Sequence, residues 1–202
     1  MIVTATQVPF HARRIVSRVL DYPLRKIRVI KPRIGGGFGA KQEILLEPYV
    51  ALFAIRNNMP VRIMYNRKEE FQSGRQRHPM RIKLKTGFNK DGEITALSMD
   101  NLMNTGAYGS HALTVSSNSG SKVLPLFNKI KNISFKARSV YTNLPVGGAY
   151  RGYGATQAYF ALNQQVDMIA RKTNQDILEF IKKWHIREGE TSDLFKAIGE
   201  GT

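Results

Sequence analysis

Two glycine-rich stretches hold the residues whose types and spacing could do chemistry. They are GGGFGAK at residues 35–41 and GGAYRGYG at residues 147–154. Glycines leave backbone N–H groups uncovered, and uncovered N–H groups bind phosphates and other oxyanions. Each stretch also places an aromatic residue between glycines, Phe38 in the first and Tyr153 in the second. We interpret both as loops that hold a polar or anionic ligand. For either loop alone, a merely tight turn is the alternative.

The spacing of the first loop excludes two common phosphate-binding motifs. A Walker A loop has Ser or Thr after its lysine, whereas Lys41 is followed by Gln42. The dinucleotide motif G-x-G-x-x-G is not matched by Gly35, Gly37 and Gly39 either. The ligand therefore has to be inferred from other features.

Most other site chemistries have no support in the sequence. Cysteine is absent, which excludes disulfides, thiolate zinc sites and cysteine-bound iron–sulfur clusters on these residues. No hydrolase motif of the G-x-S-x-G or H-E-x-x-H type occurs. The histidines do not have metal-ligand spacing, and we interpret each as a surface or core residue: His11, His78, His111 and His185.

The periodicity of apolar residues predicts the elements around the first loop. It predicts a helix over 10–20, a strand over 27–31 before the loop, a helix over 42–58 after it and a strand over 61–65. Pro48 either lies in the first turn of the second helix or kinks it. Because the loop is expected to open a helix, the positive end of a helix dipole would add to its affinity for anions.

The second half of the sequence changes to a strand pattern. MRIKLKTGF and EITALSMDNLM flank a turn at Asp91-Gly92 and predict a β-hairpin between residues 80 and 105. A strand over 133–143, the second loop and helices over 155–173 and 176–186 follow. We predict an α+β fold with mixed sheets, a long β-hairpin and covering helices, in two possible lobes of residues 1–75 and 76–202.

The net charge of +16 is the strongest feature of the composition. Such an excess predicts an anionic partner, which could be nucleic acid, an anionic cofactor or an acidic subunit. The 31 Lys and Arg residues are dispersed, which argues against nucleic acid. The N-terminus lacks the pattern of a signal peptide, and no apolar run is long enough for a membrane span. We therefore expect a soluble, cytoplasmic protein that does not bind membranes.

Taken in order, the motifs of this chain resemble a known family. They are TATQVPFHARRI, GGGFGAKQE, NRKEEF, GRQRHP, NTGAYGS and TNLPVGGAYRGYGATQA. The ordered set is similar to the molybdopterin-binding large subunit of molybdenum hydroxylases of the xanthine dehydrogenase and aldehyde oxidase type, over essentially all 202 residues. The resemblance implies a molybdopterin-binding-domain fold and molybdenum-molybdopterin as cofactor. It also implies that the pterin dithiolene holds the metal, with no direct protein ligand.

The resemblance also implies roles for individual residues. Gln7 would donate a hydrogen bond to an oxo-type ligand of molybdenum. Gln42 would face the substrate, and Tyr153 would pack its ring against a planar substrate. The cofactor contacts implied besides Gln7 are Gly36, Gly37, Phe38, Gly39 and Arg151.

This chain departs from the family pattern at the substrate positions. Gln42 stands where purine-specific members have glutamate, and their arginine is absent from residues 116–124, where Lys122 is the nearest substitute. Tyr150 and Tyr153 stand where phenylalanine is more usual. The resemblance therefore implies an N-heterocycle, purine- or nicotinate-like, or an aldehyde as the small-molecule substrate, with water as the oxygen source.

The catalytic base of the family would follow Thr202, so no catalytic residue is expected in this chain and we expect it to be inactive alone. The implied partners are a second molybdopterin-binding half or subunit, an iron–sulfur subunit and a flavin subunit carrying FAD. The alternatives are a basic nucleic-acid-binding domain and a non-catalytic remnant or assembly subunit.

Overall fold

The computed structural model describes residues 1–127 and 129–190. The chain divides into two compact units. The first comprises residues 1–77 and 144–151, and the second comprises residues 78–143 together with those from 152 onward. Each unit has its own hydrophobic core.

The first unit is built on a short pair of parallel strands. Strand β1 (Ile2–Val3) pairs with β2 (Val29–Ile30), and helix α1 (Pro9–Val19) connects them. The remaining elements of this unit are a 3₁₀ turn at Leu24–Lys26, a second 3₁₀ turn at Ala40–Gln42, helix α2 (Glu47–Asn57) and helix α3 (Arg67–Ser73). The core of the unit consists of Ile2, Val16, Ile27 and Ala51.

Helix α2 begins later than the sequence predicts. It starts at Glu47 with Pro48 in its first turn, so the first of the two alternatives for the proline is confirmed. The predicted start at residue 42 is wrong, because only a single 3₁₀ turn follows the glycine loop. Tyr49 and Phe53 recur at helical spacing in the sequence, which predicts one apolar face, but both are exposed.

The predicted strand over 61–65 is not formed. A strand needs a ladder partner, and β1 pairs with β2 alone among residues 1–127 and 129–190. The sequence also suggests Met59, Met64 and Met99 as core residues. Met99 is buried, whereas Met59 and Met64 are exposed.

The second unit contains a three-stranded mixed sheet. Strand β3 (Met80–Phe88) pairs antiparallel with β4 (Ile94–Gly106), and β5 (Asn132–Tyr141) pairs parallel with β4. The predicted hairpin is therefore confirmed, as is the α+β class with a mixed sheet. Alternate residues of β3 such as Lys83 and Lys85 are exposed, which is the pattern of a sheet with one solvated face.

Helices cover the inner face of this sheet. They are α4 (Ala112–Ser121), α5 (Ala155–Lys172) and α6 (Ile177–Trp184), with a 3₁₀ turn at Leu124–Phe127. In α5, Leu162, Val166 and Ile169 are buried in the core, at the helical spacing that the sequence predicts.

Helix α4 lies in a segment whose composition does not favour a helix. ALTVSSNSGS contains serine, asparagine and glycine, which are poor helix formers in isolation. Here the small side chains allow close packing, since Ser116, Ser119 and Gly120 are buried. A Cβ atom on Gly120 would lie 2.5 Å from the ring of Phe135 on β5. Tertiary packing therefore outweighs the weak intrinsic propensity.

Among the residues that the structure describes, no helix is both long enough and apolar enough to cross a membrane.

Candidate functional site

The parallel pairing of β1 and β2 explains why Gln7 and the first glycine loop are neighbours. The carboxyl ends of parallel strands lie at the same edge, and ligands of such sheets bind beyond that edge. The Thr4 N–H donates to the Ile30 carbonyl at 3.1 Å, which continues the pairing past both strand ends. Gln7 follows β1, and residues 35–39 follow β2, so both leave the sheet on the same side.

Gln7 is fixed to the loop at two points. Its backbone N–H donates to the Lys41 carbonyl at 2.8 Å. Its side-chain Oε1 accepts from the Gly39 N–H at 2.9 Å. Because Oε1 accepts this bond, the amide group at Nε2 has two N–H donors, and no group in the described part of the chain accepts from them. The side chain is thus held as a neutral hydrogen-bond donor.

The glycines of the first loop are required by backbone conformation and by space. Gly36 and Gly39 have φ of 137° and 90°, and Phe38 between them has φ of 48°. A non-glycine residue in this region costs about 1 kcal/mol or more, and such strain clusters at functional sites. A Cβ atom on Gly37 would lie 2.5 Å from Gln7 Oε1, and one on Gly39 would lie 3.1 Å from the Ala149 carbonyl carbon.

The loop presents uncovered N–H groups, but not all of those that the sequence suggests. Within residues 1–127 and 129–190, the N–H groups of Gly36, Gly37 and Phe38 have no hydrogen-bond acceptor. The N–H of Gly39, also expected to face the cofactor, donates to Gln7 instead. The prediction that a helix dipole strengthens anion binding at this loop is wrong, because α2 begins only at Glu47. Affinity for an anion must therefore come from the amides and nearby cations.

Residues 147–151, the first part of the second glycine stretch, contact a neighbouring segment of the first unit. The Gly148 N–H donates to the Gln76 carbonyl at 2.9 Å. A Cβ atom on Gly148 would lie 2.7 Å from Cβ of Arg75, so only glycine fits. The Arg77 guanidinium lies 4.9 Å from the centroid of the Tyr150 ring, a cation–π contact that fixes the end of the segment.

Arg151 lies next to the first loop. Its guanidinium carbon is 5.9 Å from the centroid of the Phe38 ring, and both side chains are exposed. No carboxylate pairs with Arg151 in the described part of the chain, whereas nearby Arg75 lies 3.9 Å from Glu43. The first unit therefore brings together the six residues predicted to contact the cofactor: Gln7, Gly36, Gly37, Phe38, Gly39 and Arg151. Gln42, predicted to face the substrate, is half-buried in the adjacent 3₁₀ turn.

Tyr153, the other predicted substrate residue, belongs to the second unit. Its hydroxyl forms a hydrogen bond with Nδ1 of His111. Its φ is 45°, between Gly152 at 87° and Gly154 at 103°. The hydroxyl that distinguishes tyrosine from phenylalanine here thus has a protein partner.

The two loops share a sequence pattern and a backbone conformation that were not predicted. GFGAKQ at 37–42 and GYGATQ at 152–157 are the same hexapeptide pattern. Gly39 (φ 90°, ψ −32°) and Gly154 (φ 103°, ψ −33°) each precede a helical turn, after an aromatic residue in the left-handed region. Aligning the loops would have predicted this. His111 gave no such signal, because helix α4, which follows it, was not predicted.

These residues suit an anionic, oxygen-rich cofactor. Uncovered amides, a neutral side-chain donor and an arginine are all hydrogen-bond donors, and no carboxylate of the described residues forms an ion pair with that arginine. Among the described residues, no group of three or more histidine, cysteine, aspartate and glutamate side chains is arranged to hold a metal ion.

Comparison with known proteins identifies such a cofactor. Residues 1–185 match the family model described as "Molybdopterin cofactor-binding domain". The chain belongs to this family. The resemblance to molybdenum hydroxylases predicted from the motifs is confirmed by relatives and by solved structures.

Two curated relatives of this molybdopterin-binding chain come from Escherichia coli O157:H7. The chain is 42% identical over 197 residues to "Probable hypoxanthine oxidase XdhD", which covers 98% of this chain and 20% of the relative. It is 40% identical over 194 residues to "Xanthine dehydrogenase molybdenum-binding subunit", which covers 96% of this chain and 26% of the relative. The chain thus spans about a fifth to a quarter of the length of these relatives.

The fold of the molybdopterin-binding chain also matches a solved structure. Quinoline 2-oxidoreductase from Pseudomonas putida 86 has a TM-score of 0.87 and 29% sequence identity, over 99% of this chain and 26% of that chain.

Proposed function

We propose that this chain forms part of the molybdenum-molybdopterin site of a molybdenum hydroxylase, and that the complete protein oxidises an N-heterocycle. The observation that carries the proposal is the bond from the Gly39 N–H to Gln7 Oε1. It fixes which end of the Gln7 amide faces outward, so the side chain offers donors next to three uncovered backbone N–H groups.

The donors divide into neutral and charged groups. Gln7 and the amides of Gly36, Gly37 and Phe38 bind oxygen atoms without adding charge, so they orient a cofactor without a large electrostatic bias. Arg151 supplies a positive charge for an anionic group of the cofactor, such as a phosphate. Its contact with the Phe38 ring restricts where that charge lies.

In this proposal the bound molybdenum centre supplies the oxidation chemistry. The protein binds and orients the cofactor and the substrate, and it excludes water. Gln42 and Tyr153 contact the substrate, the first through a neutral amide and the second through its ring. A general base, iron–sulfur clusters and FAD come from other parts of the complete protein or from partner chains. The subunit name of one relative supports such an assembly.

The substrate class rests on the relatives and on Gln42. The names of the relatives refer to hypoxanthine, xanthine and quinoline, all of them planar N-heterocycles. The neutral amide of Gln42 can hydrogen-bond a ring nitrogen or a carbonyl oxygen of a substrate without requiring a charge on it. An aldehyde, the second candidate, satisfies the same condition.

The test is substitution of Gln7 by leucine in the complete protein, with Gln72→Leu on the exposed face of α3 as matched control. Leucine keeps the size of the side chain but removes both its acceptor and its donors. We expect a fall of about tenfold or more in kcat or in bound molybdenum, because the half-buried Gly39 N–H loses its acceptor and the cofactor loses the donors of Gln7. Retention of both molybdenum content and turnover in Gln7→Leu would contradict the proposal.

A further inference from the structure

We propose that His111 is a positioning residue for Tyr153, and that the pair sets the selectivity of the enzyme for planar substrates. This inference rests on the proposed function, which places Tyr153 against the substrate. It assigns a role to a histidine that no sequence motif singles out.

The contact between the two side chains restricts the orientation of the tyrosine ring. His111 Nδ1 and the Tyr153 hydroxyl form a hydrogen bond, whichever of the two donates. The ring centroids are 5.5 Å apart and the planes meet at 77°, so the imidazole meets the phenol edge to face. The hydroxyl oxygen lies on the axis of the Cβ–Cγ bond, so a hydrogen bond to it limits rotation of the side chain about the Cα–Cβ bond. The imidazole that meets the ring edge to face limits rotation of the ring about the Cβ–Cγ bond.

The body of the ring has a second support. Met103, Ala112 and Val115 form a small buried apolar cluster, and the Tyr153 ring packs against it. The ring therefore lies on an apolar surface at one side and is tied at its hydroxyl. Because the hydroxyl is engaged with His111, the part of Tyr153 offered to a ligand is its aromatic surface.

The backbone of the second loop is fixed by the same helix. A Cβ atom on Gly154 would collide with the carbonyl oxygen of Val115, so the loop lies directly on α4. Tyr153 has φ of 45° between two glycines that also have positive φ, a conformation with few neighbouring alternatives. The loop cannot move its tyrosine without breaking contact with α4.

One turn of α4 makes both contacts. His111 immediately precedes the helix, and the Val115 N–H donates to the His111 carbonyl at 3.0 Å. His111 therefore bonds the tyrosine hydroxyl, while the Val115 carbonyl, one turn later, packs against the backbone of Gly154. This two-point support is what a rigid stacking surface requires.

Selectivity is expected to follow from this rigidity. A flat ring held in one orientation stabilises a flat substrate laid against it, and it offers little to a small non-planar one. Loosening the ring should therefore weaken binding of planar heterocycles more than binding of aliphatic aldehydes.

The experiment compares His111→Leu, Tyr153→Phe, the double variant and His111→Asn in the complete enzyme. KM and kcat are measured for an N-heterocycle and for an aliphatic aldehyde, together with the dissociation constant of an unreactive planar heterocycle. We expect His111→Leu and Tyr153→Phe each to raise the heterocycle KM about fivefold, more than any fall in kcat, since each removes one hydrogen bond. The double variant should be no worse than either single variant. His111→Asn, which keeps a polar atom near the Nδ1 position, should recover part of the loss.

A surface control and a loss-of-ring control separate the outcomes. His11→Leu on the exposed part of α1 should change neither substrate constant. Equal KM changes for both substrates, or additive effects in the double variant, would overturn the role of His111. If Tyr153→Ala leaves the heterocycle KM unchanged, the substrate contact in the proposed function fails, while the molybdenum content of Gln7→Leu still tests the cofactor site separately.

Discussion

At the scale of single residues, the two glycine loops use the same device. In each, an aromatic residue adopts a left-handed backbone conformation immediately before a glycine of positive φ. Glycine adopts that conformation without steric cost, whereas Phe38 and Tyr153 adopt it at a cost in free energy. Both strained residues are ones that we propose to contact a ligand, which is where such strain is commonly found.

Gly37 tests whether the position of Gln7 matters. Gly37→Ala places a Cβ atom 2.5 Å from Gln7 Oε1, so the glutamine side chain has to move and its bond from the Gly39 N–H is lost. We expect bound molybdenum in the complete protein to fall severalfold, as measured by elemental analysis. The matched control is Gly35→Ala, because a Cβ atom on Gly35 meets nothing within 4 Å. Equal molybdenum content in the two variants would refute this reading of the loop.

Much of the cofactor loop could be predicted from its residues, and its details could not. The glycines and Phe38 predict uncovered amides, which are present. The Gly39 N–H donates to Gln7 only because β1 and β2 pair in parallel, which brings together residues that are far apart in the sequence. The periodicity of neighbouring residues does not predict which strands pair, so this hydrogen bond could not be predicted from the sequence.

At the scale of elements, helix α4 is the element that was hardest to predict from the sequence. Its serines and glycine lower its helix propensity but make room for β5, so the same residues that hide the helix from prediction allow it to pack. The hairpin β3–β4 was predictable because alternation and an Asp-Gly turn are local signals. The parallel pairing of β5 with β4 is not local, and neither is the docking of α4 beside it.

Gly120→Ala tests the packing of α4. In an exposed helix this substitution stabilises by up to about 1 kcal/mol. Here the new Cβ would lie 2.5 Å from Phe135, so we expect the opposite sign, a loss of about 1–3 kcal/mol. Urea denaturation measures the free energy of unfolding. Ser117→Ala on the exposed face is the control, and Phe135→Ala in the Gly120→Ala background should relieve the clash. A more stable Gly120→Ala protein would contradict the packing described here.

The stability of the second unit is expected to depend on pH through Tyr159. Its hydroxyl donates to the Lys122 carbonyl at 2.9 Å, and burial raises the pKa of the phenol above its ordinary value of 10.0. A raised pKa means that the folded state favours the neutral phenol. Its contribution is therefore complete below about pH 10 and is lost as the pH rises through the folded-state pKa.

The variant Tyr159→Phe removes this contribution. We expect it to cost about 1 kcal/mol at pH 7 and to flatten the fall in stability above pH 10. The measurement is the free energy of unfolding as a function of pH for both proteins. Parallel curves through the alkaline range would show that Tyr159 does not titrate differently on folding.

At the scale of the whole molecule, the net charge of +16 dominates. Like charges repel one another more in a compact chain than in an extended one, so self-repulsion lowers the stability of the folded state. We expect the midpoint of thermal unfolding of the 202-residue chain to rise by several degrees when ionic strength increases from about 0.01 M to about 0.15 M, where the Debye length falls from about 30 Å to about 8 Å. Sodium chloride is the suitable salt, and uncharged sucrose at equal osmolality is the control. A midpoint that falls with added salt would mean that attractive ion pairs outweigh the repulsion.

The crossover connection of the mixed sheet also sets an order of events during folding. Strands β3 and β4 are joined by a short turn and can pair as soon as that turn closes, whereas β5 has to wait for residues 107–131, including α4, to cross over. Contacts between distant residues form late, because loop closure costs entropy before pairing returns free energy. His111 and Tyr153 are 42 residues apart and lie on either side of β5 in the sequence. We therefore expect the tyrosine to reach its partner near the end of folding, after the hairpin has acquired its hydrogen-exchange protection.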